Sequence, residues 1–182
     1  ERTKDEFPQS AAGRTVMTTE PKFIPREACT ITPVEDVSMK IRLIDCVGFM
    51  IDGATGVVEE GKERLVKTPW YDYEIPFSEA AEFGTRKVIK DHSTVGIVMT
   101  TDGSIGELPR DSYKAAEAAT IDELKKIGKP FVVVVNSKNP LSKAASDCVD
   151  EIKKTYGTEA VSLDCEHLTL VDVNRTLELL LN

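Results

Sequence analysis

The stretch that decides the fold is "GKPFVVVVNS", residues 128–137. An unbroken apolar run of this kind, without polar alternation, is typical of a strand in a parallel sheet covered on both faces. Gly128 and Pro130 stop the helix that precedes the strand, and Asn136 ends the strand itself. The stretch therefore predicts a β-strand that enters from a helix and leaves into a polar loop.

Strand-like and helix-like segments alternate on both sides of this strand. Further strands are predicted in "STVGIVMT" (93–100) and "AVSLD" (160–164). Helices are predicted in "SEAAEFGTRKVIKD" (78–91), "RDSYKAAEAATIDELKKIG" (110–128), "KAASDCVDEIKKTYG" (143–157) and "TLVDVNRTLELLLN" (169–182). Ser78 is expected to cap the first of these helices, and Thr169 with Asp172 fits a capping box for the last. Such alternation indicates an α/β fold with a mostly parallel sheet.

An antiparallel hairpin is predicted ahead of these units. "KFIPREACTITPV" (22–34) and "VSMKIRLIDCVGF" (37–49) flank a turn too short for a helix, so the two strands must pair antiparallel. Residues 1–21 show no helix or strand period and are expected to form a switch-like polar loop. Residues 49–76 are expected to form a long irregular insertion, a kind of segment that is usually functional or mobile.

The composition is that of one globular domain over residues 1–182, with 41% hydrophobic and 30% charged residues. A net charge of −8 argues against nucleic acid as the main partner, because phosphate binding requires clustered Lys and Arg. The four cysteines form no C-x-x-C pair, so a zinc site is not expected. We expect free thiols in a reducing cytosol instead. No apolar run approaches a membrane span, and no signal peptide is visible. The chain starts with Glu1 rather than Met, so its true beginning is expected upstream.

"GVVEEGKE" (56–63) is one residue short of the phosphate-binding pattern G-x-x-x-x-G-K-[ST]. Glu63 replaces the hydroxyl residue that holds Mg²⁺, and the neighbouring carboxylates would repel a triphosphate. No apolar strand precedes Gly56, whereas a P-loop joins a strand to a helix. We therefore interpret this segment as a solvated loop and not as a nucleotide site.

Three other segments together favour nucleotide chemistry, although each alone is a weak signal. Asp45 and Gly48 form D-x-x-G after an apolar strand, where P-loop enzymes hold Mg²⁺ through water. Thr18 and Thr19 lie in a polar loop ahead of the hairpin, where a hydroxyl can ligate Mg²⁺ and the loop can respond to nucleotide state. Asn136 ends a strand where a base-reading loop lies in a doubly wound sheet. Each segment also has an ordinary alternative. D-x-x-G can arise by chance at a strand-turn, the two threonines can lie in a plain surface loop, and Asn136 can simply end a strand.

Longer stretches around these residues resemble the N-terminal nucleotide-binding domain of the stage IV sporulation protein A family. The matching stretches are "FPQSAAG" (7–13), "MTTEPKF" (17–23), "IRLIDCVGF" (41–49), "TPWYDYEIPFSEAAEFGTRKVI" (68–89), "STVGIVMTTDGSIGELPR" (93–110) and "GKPFVVVVNS" (128–137). They cover most of residues 5–137, and the later part matches mainly in pattern.

The resemblance implies a P-loop NTPase fold like that of translation-factor-class GTPases, in a protein that uses ATP. It assigns Asp45 as the Walker B aspartate with Gly48 completing D-x-x-G, and Thr18 and Thr19 as sensor threonines. Mg²⁺ would then be held by Thr19 and Asp45. Asn136 and Ser137 would contact the nucleotide. Their loop reads N-S-K-N where GTPases have N-K-x-D. The carboxylate that accepts hydrogen bonds from guanine is therefore absent, and Asn139 stands in its place.

One departure from the family concerns the phosphate cradle. The family's first strand and P-loop precede the segment that opens this chain, so the chain is expected to be a truncated piece that is inactive alone. A sheet lacking that strand must close up, rearrange or pair with another chain.

The resemblance also implies a function. In the family, ATP hydrolysis is coupled to self-assembly of the spore coat basement layer during sporulation. The implied partners are copies of the protein, a small amphipathic membrane-bound sporulation peptide and coat proteins. The implied location is the mother-cell cytoplasm at the outer forespore surface, with indirect contact to the forespore membrane. A non-catalytic scaffold and a GTPase-type switch remain alternatives.

Other residues carry weaker signals. His92 follows a helix end and could interact with the helix dipole. His167 with Asp164 and Ser162 could suggest a triad, but neighbouring positions on one chain rarely give that geometry. The aromatic residues of "WYDY" (70–73) are expected to form a packed lid or an assembly contact.

Overall fold

The computed structural model describes residues 22–34, 37–46, 48–54, 57–59, 61–68 and 70–181. The backbone divides into two compact units. The first unit comprises residues up to 31 together with 39–93, and the second comprises 32–38 together with 94–182. The single-domain organisation expected from the chain length remains a prediction.

The predicted hairpin is present at the start of the described chain. Strands β1 (Lys22–Val34) and β2 (Val37–Asp45) form a two-stranded sheet. Only two residues connect them, so the strands run antiparallel, as the sequence predicts.

The segment 49–76, predicted to be irregular, contains four short strands. Strand β3 (Val58–Glu59) pairs antiparallel with β4 (Lys62–Glu63), and β5 (Leu65–Thr68) pairs antiparallel with β6 (Tyr71–Pro76). The prediction was wrong because these strands have two to six residues each and pair with a close neighbour, which leaves no readable period. Gly61 adopts φ of 77°, a left-handed conformation that suits the tight turn between β3 and β4.

Helix α1 (Phe77–Lys87) follows β6 directly and continues into a π-helical turn at Val88–His92. Phe77, Ala80 and Ala81 are buried and form the side of the helix that faces the core of the first unit. Ser78 does not cap this helix, which begins one residue earlier at Phe77. The Ser78 hydroxyl instead donates a hydrogen bond to the carboxylate of Glu63.

The second unit is built on a parallel sheet of three strands. These are β7 (Gly96–Thr101), β8 (Phe131–Asn136) and β9 (Ala160–Leu163), in the order β7-β8-β9. Met99 pairs with Val134, and Val134 pairs with Val161. Among the described residues, then, the chain has a mixed α/β fold with a parallel sheet and separate antiparallel pairs.

Three helices cover this sheet: α2 (Asp111–Ile127), α3 (Lys143–Tyr156) and α4 (Leu170–Leu181). Helix α2 packs against β7, α3 against β8 and β9, and α4 against β8. The sheet is therefore covered on both faces at β8, where the side chains from Val132 to Val135 are buried. This arrangement is the one predicted from the unbroken apolar run.

The helix ends follow the sequence signals. Gly128 adopts φ of 75° and ends α2 in the left-handed conformation. The Ser142 hydroxyl accepts a hydrogen bond from the Ala145 N–H at 3.2 Å and caps α3. The predicted capping box of α4 is confirmed, because Asp172 accepts from the Thr169 N–H at 2.9 Å and Thr169 accepts from the Asp172 N–H at 3.3 Å.

Candidate functional site

In the first unit, the D-x-x-G segment begins at the last residue of β2. Asp45 ends the strand, and burial of its carboxyl raises its pKa, an effect that a hydrogen bond from the Cys46 backbone partly opposes. Partial burial makes an uncompensated negative charge costly, and a bound cation offsets that cost. The position and charge of Asp45 therefore suit a metal-binding carboxylate.

Gly48 gives this segment its shape. It adopts φ of 82°, and a Cβ built at this position would meet nothing within 4 Å. Glycine is favoured here by the backbone conformation, and the space beside it is open to an approaching ligand. Burial raises the pKa of the neighbouring Cys46 thiol, an effect that interactions with the Gly48 backbone and the Thr85 side chain partly oppose.

Thr18 and Thr19, the predicted sensor and Mg²⁺-binding residues, lie outside the described residues. Their roles remain predictions.

In the second unit, three loops leave the same edge of the parallel sheet. The β7 loop (102–110) follows β7, the β8 loop (137–142) follows β8, and the β9 loop (164–169) follows β9. Because the carboxyl ends of parallel strands meet at one edge, these loops lie side by side. Asn136 and Ser137, the predicted nucleotide-contacting residues, lie at this edge.

Hydrogen bonds connect the β7 loop to the β8 loop through Asp102. The Ser137 hydroxyl donates to Asp102 Oδ2 at 2.7 Å, and the Ser104 hydroxyl donates to Asp102 Oδ1 at 2.6 Å. Burial alone would raise the pKa of Asp102, but the hydrogen bonds from the two serines outweigh it and lower the pKa below its usual value. The carboxylate is therefore ionised at neutral pH and acts as an acceptor for both loops.

The β8 loop is also tied to the β9 loop. The Asn136 side-chain oxygen accepts from the Cys165 N–H at 3.0 Å, and the Ser137 N–H donates to the Leu163 carbonyl at 2.9 Å. These contacts hold the three loops as one preorganised edge.

Ser137 differs from the sequence expectation in the way it can act. Its side chain is 0% exposed, and its hydroxyl is engaged with Asp102 and with the Asn139 N–H at 3.1 Å. This hydroxyl therefore shapes the β8 loop and is not presented at the surface. Lys138, Asn139 and Leu141 are the exposed side chains of that loop.

A buried ion pair supports the β7 loop from the other end. Arg110 donates to Glu117 at 2.6 and 2.9 Å and to the Thr100 hydroxyl at 2.9 Å. The side chains of Arg110 and Glu117 are 15% and 2% exposed. Burial lowers the pKa of Arg110, but the hydrogen bonds to Glu117 outweigh that effect and raise it. The pair fastens the loop to β7 and α2.

The sequence reasoning did not single out Asp102, Ser104, Arg110 or Glu117. The signal available to it was the polar run "TTDGS" (100–104), which follows β7 at the same edge of the sheet as Asn136. A buried Glu in an amphipathic helix such as α2 gives no comparable signal, because most Glu residues in helices are exposed.

Among the described residues, no group of three His, Cys, Asp or Glu side chains could hold a metal ion by itself. Mg²⁺ bound with a nucleotide needs no such cage, since one or two carboxylates, water and phosphate oxygens complete its shell. Asp45 is an oxygen ligand of the type that Mg²⁺ prefers, so the residue fits the ion.

The remaining candidates have structural roles in the described chain. "GVVEEGKE" contains the β3–β4 hairpin, in which Val58 pairs with Glu63, so it is not the strand-to-helix turn of a P-loop. The Ser162 hydroxyl donates to the Pro140 carbonyl at 2.8 Å, which commits it to the β8 loop and not to a triad with His167. The His92 ring packs edge-on against Phe23, with their centroids 5.9 Å apart.

The aromatic residues of the insertion pack on α1. Trp70 and Tyr71 each lie 5.4 Å from Phe83 between ring centroids, and Tyr71 lies 5.4 Å from Tyr73. Tyr73 is the most exposed of these rings. This agrees with a packed group of rings, and the assembly contact remains a prediction.

Comparison with known proteins identifies the class of protein to which the chain belongs. The profile of an ATPase domain family, described as "Stage IV sporulation protein A, ATPase domain", matches residues 1–182. The chain belongs to this family. It is 47% identical to stage IV sporulation protein A of Bacillus anthracis over 177 residues, which is 97% of the chain. Identity is 46% over 172 residues (94% of the chain) to that of Bacillus subtilis (strain 168), and 44% over 181 residues (100%) to that of Clostridioides difficile (strain 630).

The chain spans only 35–37% of the length of these relatives. No solved structure matches it. In the part of the chain that the structure describes, no helix is both long enough and apolar enough to cross a membrane.

Proposed function

We propose that the intact protein hydrolyses ATP with Mg²⁺ during sporulation, and that this turnover drives its own assembly into the basement layer of the spore coat. The observation that carries the proposal is membership of an ATPase domain family along the whole of residues 1–182. The relatives named as sporulation proteins support the biological setting.

The catalytic roles are proposed for the first unit and for the segment ahead of it. Asp45, at the end of β2, would hold Mg²⁺ through water, and Thr19 would ligate it directly. The bound ion would neutralise charge on the phosphate oxygens. Thr18 and Thr19 would position the attacking water in line with the bond to the leaving diphosphate. Partial burial of Asp45 and the open space beside Gly48 support this assignment.

Base recognition is proposed for the β8 loop. Asn139 is exposed and its side-chain amide offers one donor and one acceptor edge, the combination that the N1 and N6 positions of adenine require. Guanine presents two donors at the corresponding edge and is bound best by a carboxylate, which N-S-K-N lacks. Asn136 holds the loop from behind through its bond to Cys165.

We place the phosphate-binding loop in a part of the intact protein outside these 182 residues. Two observations support that placement. The relatives are nearly three times as long as the chain. Strand β7 also has an edge that pairs with no other strand among the described residues, and beside that edge Ile97 and Met99 are 41% and 55% exposed. A further strand and helix would cover these apolar side chains.

The proposed partners are further copies of the protein, a small amphipathic membrane-bound sporulation peptide and coat proteins. The proposed location is the mother-cell cytoplasm at the outer surface of the forespore, which the protein would reach through that peptide. These proposals rest on the family resemblance.

The test is Mg²⁺-dependent phosphate release from ATP by the intact protein. Asp45→Asn keeps the size of the side chain and removes the charge, so turnover should fall about a hundredfold or more. Asp52→Asn, an exposed carboxylate in the following turn, is the matched control and should leave turnover unchanged.

Three outcomes would contradict the proposal or one of its assignments. An intact protein that binds no ATP favours a non-catalytic scaffold. An Asp45→Asn protein with full turnover removes the assignment of Asp45 while leaving the ATPase itself in place. Faster turnover with GTP than with ATP would indicate the GTPase-type switch.

A further inference from the structure

Asp102 lies beside the proposed base-binding loop, so any role for it in nucleotide binding rests on the proposed function. Asp102 is the first residue after β7 and belongs to a different loop from Asn139. It nevertheless accepts hydrogen bonds from both sides of the contact between the two loops, from Ser104 at 2.6 Å and from Ser137 at 2.7 Å.

The same two hydroxyls hold the backbone of the β8 loop. The Ser104 hydroxyl accepts from the Lys138 N–H at 3.0 Å, and the Ser137 hydroxyl accepts from the Asn139 N–H at 3.1 Å. Each hydroxyl has only one proton to donate. Because both protons go to Asp102, the oxygen lone pairs of both serines are left for the two backbone N–H groups.

The charge of Asp102 therefore decides the direction of both serine O–H bonds in this network. A carboxylate only accepts, so both serines must donate to it. An amide at the same place would accept with one atom and donate with the other, and one serine would have to turn. That serine would accept from the amide, and the charge-assisted hydrogen bond that holds its oxygen in place for the Lys138 or Asn139 N–H would be lost, so the exposed end of the β8 loop would be held less firmly.

The backbone of the β7 loop is suited to present this carboxylate. Gly103 adopts φ of 91°, and a Cβ built there would lie 3.0 Å from the Arg110 backbone nitrogen. The Gly103 N–H also donates to the Thr101 hydroxyl at 3.1 Å, and the Ser104 N–H donates to Asp102 Oδ1 at 2.9 Å. The tight turn thus places Ser104 on the same carboxylate as Ser137.

We propose that Asp102 is the positioning residue of the base-binding loop: it fixes Lys138 and Asn139 through Ser104 and Ser137, and so sets the preference for adenine over guanine nucleotides. Asp102 itself does not touch the nucleotide.

The experiment compares Asp102→Asn, Ser104→Ala and the matched control Asp147→Asn in the intact protein. Asp147 is an exposed carboxylate on α3 paired with Lys143 and lies outside the network. KM and kcat are measured for ATP and for GTP, and circular dichroism on heating checks that each variant is folded. Asp102→Asn should raise KM for ATP about tenfold, the effect of losing one charge-assisted hydrogen bond that holds the loop.

Two further readouts separate positioning from a purely structural role. The value of kcat should stay within about twofold, because the loop contributes binding that is equal in the ground and transition states. The ratio of kcat/KM for ATP to that for GTP should fall, whereas a general loss of stability would leave this ratio unchanged. Ser104→Ala should shift KM and the ratio in the same direction, and Asp147→Asn should shift neither.

The inference is overturned if folded Asp102→Asn keeps the wild-type KM and ATP-to-GTP ratio. If Asp102→Asn does not fold, Ser104→Ala decides, and wild-type values in that variant overturn the inference. If the wild-type protein binds no ATP, the proposed function fails and this inference fails with it. If wild-type turnover is normal and the variants are unaffected, the role of Asp102 is rejected and the proposed function stands.

Discussion

Removal of the Glu117 carboxylate should loosen the β7 loop more than any surface substitution in the second unit. Glu117 receives two hydrogen bonds from Arg110, at 2.6 and 2.9 Å, and its side chain is only 2% exposed. In Glu117→Ala the guanidinium keeps its bond to Thr100 but loses its counter-charge. A buried charge left without its partner costs about 3–5 kcal/mol.

The side chain of Arg110 is 15% exposed, so water offsets part of that cost and the expected loss is about 2 kcal/mol. This corresponds to about thirtyfold faster hydrogen exchange in the amides that open together with β7 and α2. The assay is hydrogen–deuterium exchange of peptides from residues 96–101 and 111–127 in the intact protein. Asp147→Ala, which breaks the exposed pair with Lys143, is the control and should change exchange less than about twofold.

A third variant separates the lost charge from the lost packing. Arg110→Met combined with Glu117→Leu replaces the pair by apolar side chains and should restore much of the protection, because no unpaired charge remains. The reasoning is refuted if Glu117→Ala exchanges like the wild type, or if the double variant is as unprotected as the single one.

Three further predictions concern the loops at the carboxyl edge of the sheet. Asn139→Asp should shift nucleotide preference toward GTP by about tenfold or more, since a carboxylate pairs with the donors of guanine; competition binding of ATP and GTP to the intact protein tests this, and an unchanged preference counts against a base contact at Asn139. Gly103→Ala should destabilise the second unit by about 1–3 kcal/mol, because φ of 91° strains an L side chain and its Cβ would crowd the Arg110 backbone; unchanged exchange of β7 amides would refute this. The hydrogen bond to Asp164, at 2.9 Å, raises the pKa of His167, so NMR titration should find it above the usual value of 6.5 and Asp164→Asn should lower it. Any stability from this pair is present below pH 6.5 and is lost as the pH rises through the folded pKa, and a histidine titration unaffected by Asp164→Asn would contradict the contact.

The parallel sheet could be predicted because its signal is strong and local. Phe131 to Val135 form an unbroken run of apolar side chains, which is typical of a strand covered on both faces. The capping box at Thr169 and Asp172 and the left-handed Gly128 follow from the same local chemistry. Each of these features depends on a few neighbouring residues.

The strands between residues 58 and 76 could not be predicted, because their pairing depends on partners and turns and not on a period. The cap expected at Ser78 failed for a related reason. The Ser78 hydroxyl, which a cap would use, donates its hydrogen bond to Glu63, fifteen residues earlier in the chain. Sequence spacing does not reveal such a partner.

The candidate site was predictable by position but not by contact. Asn136 was expected at the strand end and lies there, and Asp45 ends β2 as expected. The network around Asp102 joins residues 33–35 positions apart, so only the folded sheet brings them together. Burial of the Ser137 hydroxyl likewise depends on a loop that the sequence places far away.

The most direct test of the central claim is photo-crosslinking of the intact protein with an ATP analogue that carries an azide on the adenine ring. The label should be found by mass spectrometry in peptides containing the β8 loop (137–142) or the neighbouring β9 loop (164–169), and excess ATP with Mg²⁺ should prevent labelling more effectively than GTP. Labelling confined to other peptides, or equal protection by both nucleotides, would contradict an adenine site at this edge of the sheet.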